Sequence, residues 1–428
     1  MQQPRLVWPG KNRVKSLKQS CVHQPITVER YGTGENSFVL GDNLVYLNWL
    51  VAKGQKVDLI YIDPPFATNE KFRLKRSIGS AAYNSKQVID FICYNDLWGN
   101  DISCYLNMFY PRLRLMYELL KDSGSIYVHV DYRLTAYVRL ILDEIFGEDN
   151  FVNEIIWFYK TGGVPEKIGF SKKHDTILFY VKDKKKAKWF PQKEKSYLKH
   201  NYGFSNINIY KDKHGKYTYV HCRDVFDIPA LRGNHRERIE YATQKPKQLL
   251  ERIILASTEK GDVVADFFCG SGTTCVVAEN LDRKWLACDI EPWAIHVSRK
   301  RILELKKFRG FQMLKFASRQ ELDVNEFRDL KVSISKRNEL IAIKLEFFEP
   351  KDSSYRDKIL HWSEWIDFWS IGGDTDTFQP VWYDFRTRFK RELSLETPYL
   401  LFKDKRVKIK IVTFEAREFE AEFVLDQV

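Results

Sequence analysis

Apolar positions along the first three hundred residues follow two alternating patterns. Short, nearly continuous runs predict strands buried on both faces of a parallel sheet: Val57-Asp58-Leu59-Ile60-Tyr61-Ile62, Ser125-Ile126-Tyr127-Val128-His129-Val130, Val263-Val264-Ala265-Asp266 and Lys284-Trp285-Leu286-Ala287-Cys288-Asp289. Phe38-Val39-Leu40 predicts a shorter one. Between these runs the apolar residues recur at helical spacing: Leu44, Leu47 and Leu50; Leu113, Met116 and Leu120; Leu134, Tyr137, Leu140, Ile141 and Ile145; Leu249, Leu250, Ile253 and Ile254. Pro111 and Pro246 suit helix first turns, and Gly124, Gly147 and Gly261 suit helix ends. A last helix is expected at about 293–307. Ile155-Ile156-Trp157-Phe158-Tyr159 and Thr176-Ile177-Leu178-Phe179-Tyr180-Val181 predict an antiparallel pair around a loop containing Gly162-Gly163. The alternation as a whole predicts an α/β fold.

Four stretches depart from it. Residues 1–36 are basic and irregular and predict an arm laid on the main domain or on a partner. Residues 67–104 are polar with no clean period, which predicts a long functional loop. Residues 182–240 carry no α/β pattern, and their first nineteen positions hold eight lysines among Trp189, Phe190 and Tyr197. Beyond residue 310, Ile341, Ile343, Leu345 and Phe347 alternate, as do Val407, Ile409 and Ile411, so 311–428 is expected to be a separate β-rich domain.

Composition narrows the function classes. The formal net charge of +12 favours a polyanionic partner. No apolar run approaches the ~20 residues of a membrane span, and the first residues lack a signal-peptide layout. The seven cysteines include no CxxC pair, so thiols in a cytoplasmic protein are expected, with no metal site.

Two segments carry chemistry. Asp63-Pro64-Pro65-Phe66 closes the strand at 57–62. Two prolines fix two φ angles and remove two N–H donors, and the residue before them is held extended. The result is a rigid corner presenting two acceptors, the Asp63 carboxylate and the Pro64 carbonyl. An exocyclic aromatic amine is a poor nucleophile because its lone pair is delocalised. Two acceptors gripping its hydrogens localise that pair, and Phe66 offers a face for stacking. Asp-Pro-Pro also occurs in plain turns. The second segment, Asp266-Phe267-Phe268-Cys269-Gly270-Ser271-Gly272-Thr273-Thr274, brings backbone close to a ligand at a strand–helix turn. It lacks the lysine of a triphosphate loop and the third glycine of a dinucleotide loop. Asp289, at the end of the next strand, is placed for ribose hydroxyls. A tight turn with a solvated carboxylate accounts for the same letters.

Together, and in this order, the segments resemble motifs IV and I of the S-adenosylmethionine-dependent amino-methyltransferases acting on DNA, in the β-class, circularly permuted arrangement that includes type III modification subunits. Phe66 stands where Tyr is commoner, and Phe267 where Pro is usual. Gly41-Asp42-Asn43-Leu44 resembles the family segment at the cofactor adenine, and Thr243-Gln244-Lys245-Pro246 the segment at its methionine end. Gly124–His129 and Lys173-His174-Asp175 also resemble family segments. The resemblance covers about 36–308 and implies a Rossmann-like methyltransferase with a seven-stranded, mostly parallel sheet. Its catalytic half would lie at 37–181, with 67–104 as a lid, and its cofactor half at 241–310.

The implied catalytic residues are Asp63, Pro64, Pro65 and Phe66. The implied S-adenosylmethionine residues are Asp42, Asn43, Thr243, Lys245, Pro246, Asp266, Phe268, Cys269, Gly270, Ser271, Gly272, Thr273 and Asp289. Target recognition would fall at 182–240. Lys184, Lys185, Lys186, Arg232, Arg236 and Arg238 are DNA candidates there, as are Tyr94 and Trp98, with Asn95 and Asp96, in the lid. The base must leave the duplex to reach the corner. Asp at the first motif position points to adenine N6. Cytosine N4, an RNA adenine, and a non-catalytic DNA-binding subunit of a restriction or defence complex stand as alternatives. Double-stranded DNA is the implied substrate, and a homodimer or a restriction-system partner is implied by resemblance alone.

Overall fold

A computed structural model describes residues 5–12, 24–78, 87–98, 101–160, 168–197, 208–239, 241–316, 326–351, 353–373, 377–402 and 406–425. The Gly162-Gly163 loop lies outside the described residues.

Ten strands build the central sheet: β1 (Ile26–Tyr31), β2 (Asn36–Leu40), β3 (Val57–Ile62), β4 (Leu120–Val130), β5 (Phe151–Phe158), β6 (His174–Val181), β7 (Val225–Asp227), β8 (Val263–Asp266), β9 (Lys284–Asp289) and β10 (Phe311–Lys315). Their order is β1-β10-β2-β9-β8-β3-β4-β6-β5-β7. From β10 to β4 every neighbour is parallel. β6 runs against both β4 and β5. All seven strands expected for the methyltransferase sheet are present, and β1, β7 and β10 extend it.

The continuous apolar runs follow from burial on both faces. Along β3, Leu59 and Tyr61 face α4 (Lys247–Ser257), α5 (Thr273–Asn280) and α6 (Pro292–Leu303), while Val57, Ile60 and Ile62 face α1 (Asn43–Ala52), α2 (Ile102–Leu119) and α3 (Thr135–Phe146). β3, β8, β9 and β2 all end at the same edge of the sheet. Asp63, Asp266, Asp289 and Asp42 stand at or just beyond those four carboxyl ends, the usual ligand crevice of an open α/β sheet.

Several expectations are corrected. The helix expected to open at Pro111 starts at Ile102, capped by the Asp101 side chain, and carries Pro111 inside it. It ends at Leu119, and Gly124 lies within β4. The stretch 67–104 is not one long loop. It holds an antiparallel hairpin, Lys71–Ile78 against Gln87–Asn95, before α2 begins. Leu74, Arg76 and Ile78 share its buried face. Arg76 breaks the apolar period because its guanidinium is neutralised from far away, by Asp367 in the C-terminal region. Phe311–Lys315, placed with the C-terminal domain by the sequence pattern, completes the central sheet between β1 and β2. The stretch 182–240 contains β7 and a separate three-stranded sheet (193–197, 210–212, 215–221).

The C-terminal region forms a four-stranded sheet (366–373, 380–385, 406–413, 418–424) beside a three-stranded one (327–337, 340–350, 400–401). Buried ion pairs join it to the rest. Asp367 receives Arg76, and Lys300 and His296 of α6 at 2.6 Å each. Burial alone would raise the Asp367 carboxyl, but Arg76 and Lys300 outweigh it and hold it well below the ordinary range. Glu29 of β1 meets Arg299 at 3.1 Å and also Lys410, while Lys315 meets Glu418 at 2.8 Å. Charges taken out of water in this way are tolerated only when paired, so these contacts fix how the C-terminal sheets seat.

Candidate active site

A cavity of about 500 Å³ opens at the carboxyl ends of the parallel strands and joins the two motif segments. The proline corner forms one wall. The Asp63 Oδ2 is paired with the Lys245 ammonium, which also sits 5.4 Å from the Phe66 ring centre. The other carboxylate oxygen, Oδ1, is buried and has no hydrogen-bond partner among the described residues. A buried acceptor without a donor is costly, on the order of 1–3 kcal/mol, and this one lies in a residue that lines the cavity.

Phe66 is backed by a polar chain. Tyr61 Oη and His129 Nδ1 are 2.8 Å apart, His129 Nε2 and Asp175 Oδ2 are 3.3 Å apart, and Tyr159 donates to Asp175 Oδ1 at 3.0 Å. The His129 ring lies 6.0 Å from the Phe66 ring. Burial would raise Asp175, but the His129 hydrogen bond and the charges of His129 and Lys245 bring it below the ordinary range. This chain supplies the physical role of the segments around His129 and Asp175 noted in the sequence.

Just after the corner the backbone turns through Ala67 and Asn69, both at positive φ (53° and 57°). Asp96 holds that turn. It accepts from Ala67 N at 3.2 Å, from Thr68 N and Oγ1 at 2.8 Å each, and from Trp98 Nε1 at 2.7 Å. Trp98, Thr68 and Phe72 line the cavity. The end of the hairpin is therefore tied back to the corner by one carboxylate.

The opposite wall is the glycine turn. Gly270 and Gly272 take φ of +47° and +70°. A Cβ on Gly272 would come within 2.5 Å of Ser298 Oγ, so glycine is required there. Asp289 Oδ2 accepts from Gly270 N at 2.8 Å and its Oδ1 from Glu291 N at 3.0 Å. Asp266 accepts from Phe268 N at 3.1 Å and from Thr274 Oγ1 at 2.5 Å. Burial pushes Asp266 up to about 7, against the pull of those two donors, and raises Asp289 as well. Asp42 caps α1 through Leu44 N at 2.8 Å and is held by Arg112 at 2.6 Å. Arg112 also donates to Asn43, whose amide donates to the Phe267 carbonyl at 2.6 Å.

These residues suit S-adenosylmethionine. A turn freed of side chains, and four acidic groups (Asp42, Asp266, Asp289 and Glu291) on the lining besides Asp63 and Asp96, match a ligand with ribose hydroxyls and two cationic centres. Asp42, Asn43, Thr243, Lys245, Asp266, Phe268, Cys269, Gly270, Ser271, Thr273 and Asp289 all line the cavity, as do the four corner residues. Pro246 and Gly272 do not; Pro246 caps α4 and Gly272 caps α5. Arg112, Met108 and Tyr241 line it too and carried no sequence signal.

The DNA candidates divide. Trp98 is at the cavity. The Tyr94 side chain lies outside the described residues. Lys184, Lys185 and Lys186 lie away from the cavity: Lys186 pairs with Asp122, near the amino-terminal end of β4, at 3.0 Å, and Lys184 reaches the Phe151 carbonyl at the start of β5 on the same side of the sheet. That end is roughly 25 Å of strand from the cavity edge. Arg232 and Arg236 are exposed, on the segment leading to Tyr241 and Thr243. Arg238 donates to the Leu231 carbonyl at 3.2 Å.

A family model described as DNA methylase matches residues 57–300. The chain is 28% identical over 327 residues to the type II methyltransferase M.EcaI of Enterobacter cloacae, covering 62% of this chain and 69% of that one. It is 26% identical over 294 residues to the DNA adenine methyltransferase YhdJ of Escherichia coli (strain K12), covering 68% and 90%. It is 30% identical over 199 residues to the type III restriction-modification enzyme EcoP15I Mod subunit of Escherichia coli, covering 42% and 30%.

Proposed function

We propose, from the premise that this chain belongs to the DNA methylase family, that it methylates the N6 amine of adenine. Methyl transfer from S-adenosylmethionine to DNA is the activity of the family; the choice of base is our reading. The observation that carries transfer to an exocyclic amine is the buried Asp63 Oδ1 on the cavity wall, which has no hydrogen-bond partner among the described residues.

S-adenosylmethionine, when bound, supplies a methyl group made electrophilic by its positive sulfur. Asp63 Oδ1 accepts one hydrogen of the adenine amine, and the Pro64 carbonyl, with no competing N–H on the next residue, accepts the other. Lys245 holds Oδ2 and so fixes the carboxylate plane. Phe66, braced by His129, stacks on the flipped base. The amine lone pair forms the new N–C bond while the electron pair of the breaking C–S bond stays on sulfur. The surplus proton leaves the nitrogen for Asp63 Oδ1 or for water, and no strong base is needed because the alkylated nitrogen is acidic.

Asp in the first position of the corner supports adenine over cytosine by family tendency, and the adenine methyltransferase among the relatives supports the same base. The type II and type III relatives support a modification role beside a restriction nuclease. Expression in a host lacking DNA methylation, followed by nucleoside mass spectrometry, tests the reading. N6-methyladenine, absent with Asp63→Ala, is expected. N4-methylcytosine would correct the base, and methylation confined to RNA would overturn the substrate.

A further inference from the structure

The C-terminal sheets have no part in the chemistry above, yet one of their turns reaches the segment that leads into the active site. Residues 386–391 (Arg-Thr-Arg-Phe-Lys-Arg) form a tight, braced turn. Arg386 pins its base, donating to the Ile366 carbonyl at 2.8 Å and the Ser363 carbonyl at 3.0 Å, and also to the carbonyl of Arg391 across the turn. Thr387 braces the tip: its Oγ1 accepts from Phe389 N at 3.2 Å and Lys390 N at 3.0 Å, and its own N–H donates to the Lys390 carbonyl at 2.7 Å. Arg388 then crosses to the 231–238 segment, where its Nη1 meets the Arg238 carbonyl at 3.3 Å and the His235 carbonyl at 3.5 Å.

What this rigid turn presents is an exposed phenylalanine. Phe389 is 73% exposed at the tip. Arg391 is exposed beside it, and Arg232 and Arg236 are exposed on the segment that Arg388 grips. None of these three arginines forms an ion pair among the described residues. The nearby acids are engaged: Asp384 with Lys390, and Glu237 with the Lys247 N–H at 2.7 Å. The 231–238 segment continues into Tyr241, Thr243 and Lys245, which line the cavity. A side chain held out in water by a turn with four internal hydrogen bonds, among arginines without an ion pair in the described residues, fits a partner that is anionic and offers flat apolar faces. Duplex DNA has both, in its phosphates and in the base faces laid open where the target base leaves the stack.

We propose that the 386–391 turn is a DNA-docking tongue. Phe389 packs on bases or sugars flanking the target adenine, Arg391, Arg232 and Arg236 hold phosphates, and Arg388 sets the tongue against the active-site mouth. This rests on the methyltransferase reading and gives the C-terminal sheets a role in it: gripping the duplex from which the base is flipped.

The test uses the full-length protein. Binding of a mixed-sequence duplex is followed by fluorescence anisotropy against salt, and methyl transfer is followed on genomic DNA from a methylation-free host. Phe389→Ala should weaken duplex binding and raise the KM for DNA on the order of tenfold, with kcat at saturating DNA and S-adenosylmethionine affinity unchanged. Arg391→Ala should lower the slope of log K against log salt by about 1. Arg388→Lys should behave like Phe389→Ala if it is the joint. Unchanged duplex affinity and salt slope in both Phe389→Ala and Arg391→Ala overturn the proposal. So does a fall in oligomer size on sedimentation with unchanged duplex affinity, which would make the turn a contact between copies. If the wild-type protein methylates no DNA, it is the methyltransferase reading that fails; if it methylates normally and the variants bind as it does, only the tongue fails.

Discussion

The two walls of the cavity differ in how completely they are satisfied. At the glycine turn, both oxygens of Asp266 and both of Asp289 accept hydrogen bonds from the protein itself. At the proline corner, Asp63 has one oxygen on Lys245 and the other on no donor among the described residues. The first wall is a finished cradle whose shape is set before any ligand arrives. The second holds an acceptor in reserve for a donor that comes from outside. In the proposed reaction, binding and chemistry divide between two turns of opposite design, one made permissive by glycine and the other made rigid by proline.

That contrast can be broken first at the corner. Asp63→Ala should lower kcat by about 10³-fold or more, as expected where a group aligning the reacting atom is lost, while S-adenosylmethionine titration by calorimetry shows little change. A comparable loss in cofactor affinity would mean that the corner is part of the cradle. The reciprocal change is Gly272→Val. With φ at +70° and Ser298 Oγ 2.5 Å from the new Cβ, it should cost about 2–3 kcal/mol of stability, read by chemical denaturation. Cofactor affinity should fall with it, and kcat at saturating cofactor should fall far less.

The cradle also predicts a pH dependence. Burial lifts Asp266 to about 7. A cationic ligand favours the ionised form, so S-adenosylmethionine affinity should rise as pH rises through 7, by about tenfold from pH 6 to pH 8. Without ligand the sign for stability is opposite. A raised folded-state value means that the folded protein holds the proton longer, so this residue's contribution falls as pH climbs from the ordinary carboxylate range to 7. Asp266→Asn should flatten both profiles; a pH-independent affinity in the wild-type protein would remove Asp266 from the cofactor contacts. The smallest effect is expected at Trp98, tied to the corner through Asp96. Trp98→Ala should lower kcat about fivefold with cofactor affinity unchanged, and equal losses in both would argue against a role over the base.

The same contrast explains what the sequence revealed. β3, β8 and β9 were legible because strands buried on both faces are written as unbroken apolar runs, and the residues that end them are the site. The 71–78 and 87–95 hairpin was not, because Arg76 occupies an inward position and its partner Asp367 lies far along the chain. Pro111 predicts a helix start, so the roughly two and a half turns before it, from Ile102, go unread. The charge density of Lys184 to Lys186 can be read from letters, whereas the end of the sheet on which they fall cannot. Arg112, mid-helix and without a motif, becomes visible only when α2 is laid beside Asp42 and Asn43.

The most direct test of the account is an assay in vitro with purified protein, methyl-labelled S-adenosylmethionine and unmethylated plasmid DNA, the products being resolved as nucleosides. Wild-type protein should place the label in N6-methyladenine, and Asp63→Ala should place almost none there while still binding S-adenosylmethionine. Label in N4-methylcytosine, or undiminished N6-methyladenine from Asp63→Ala, would contradict it.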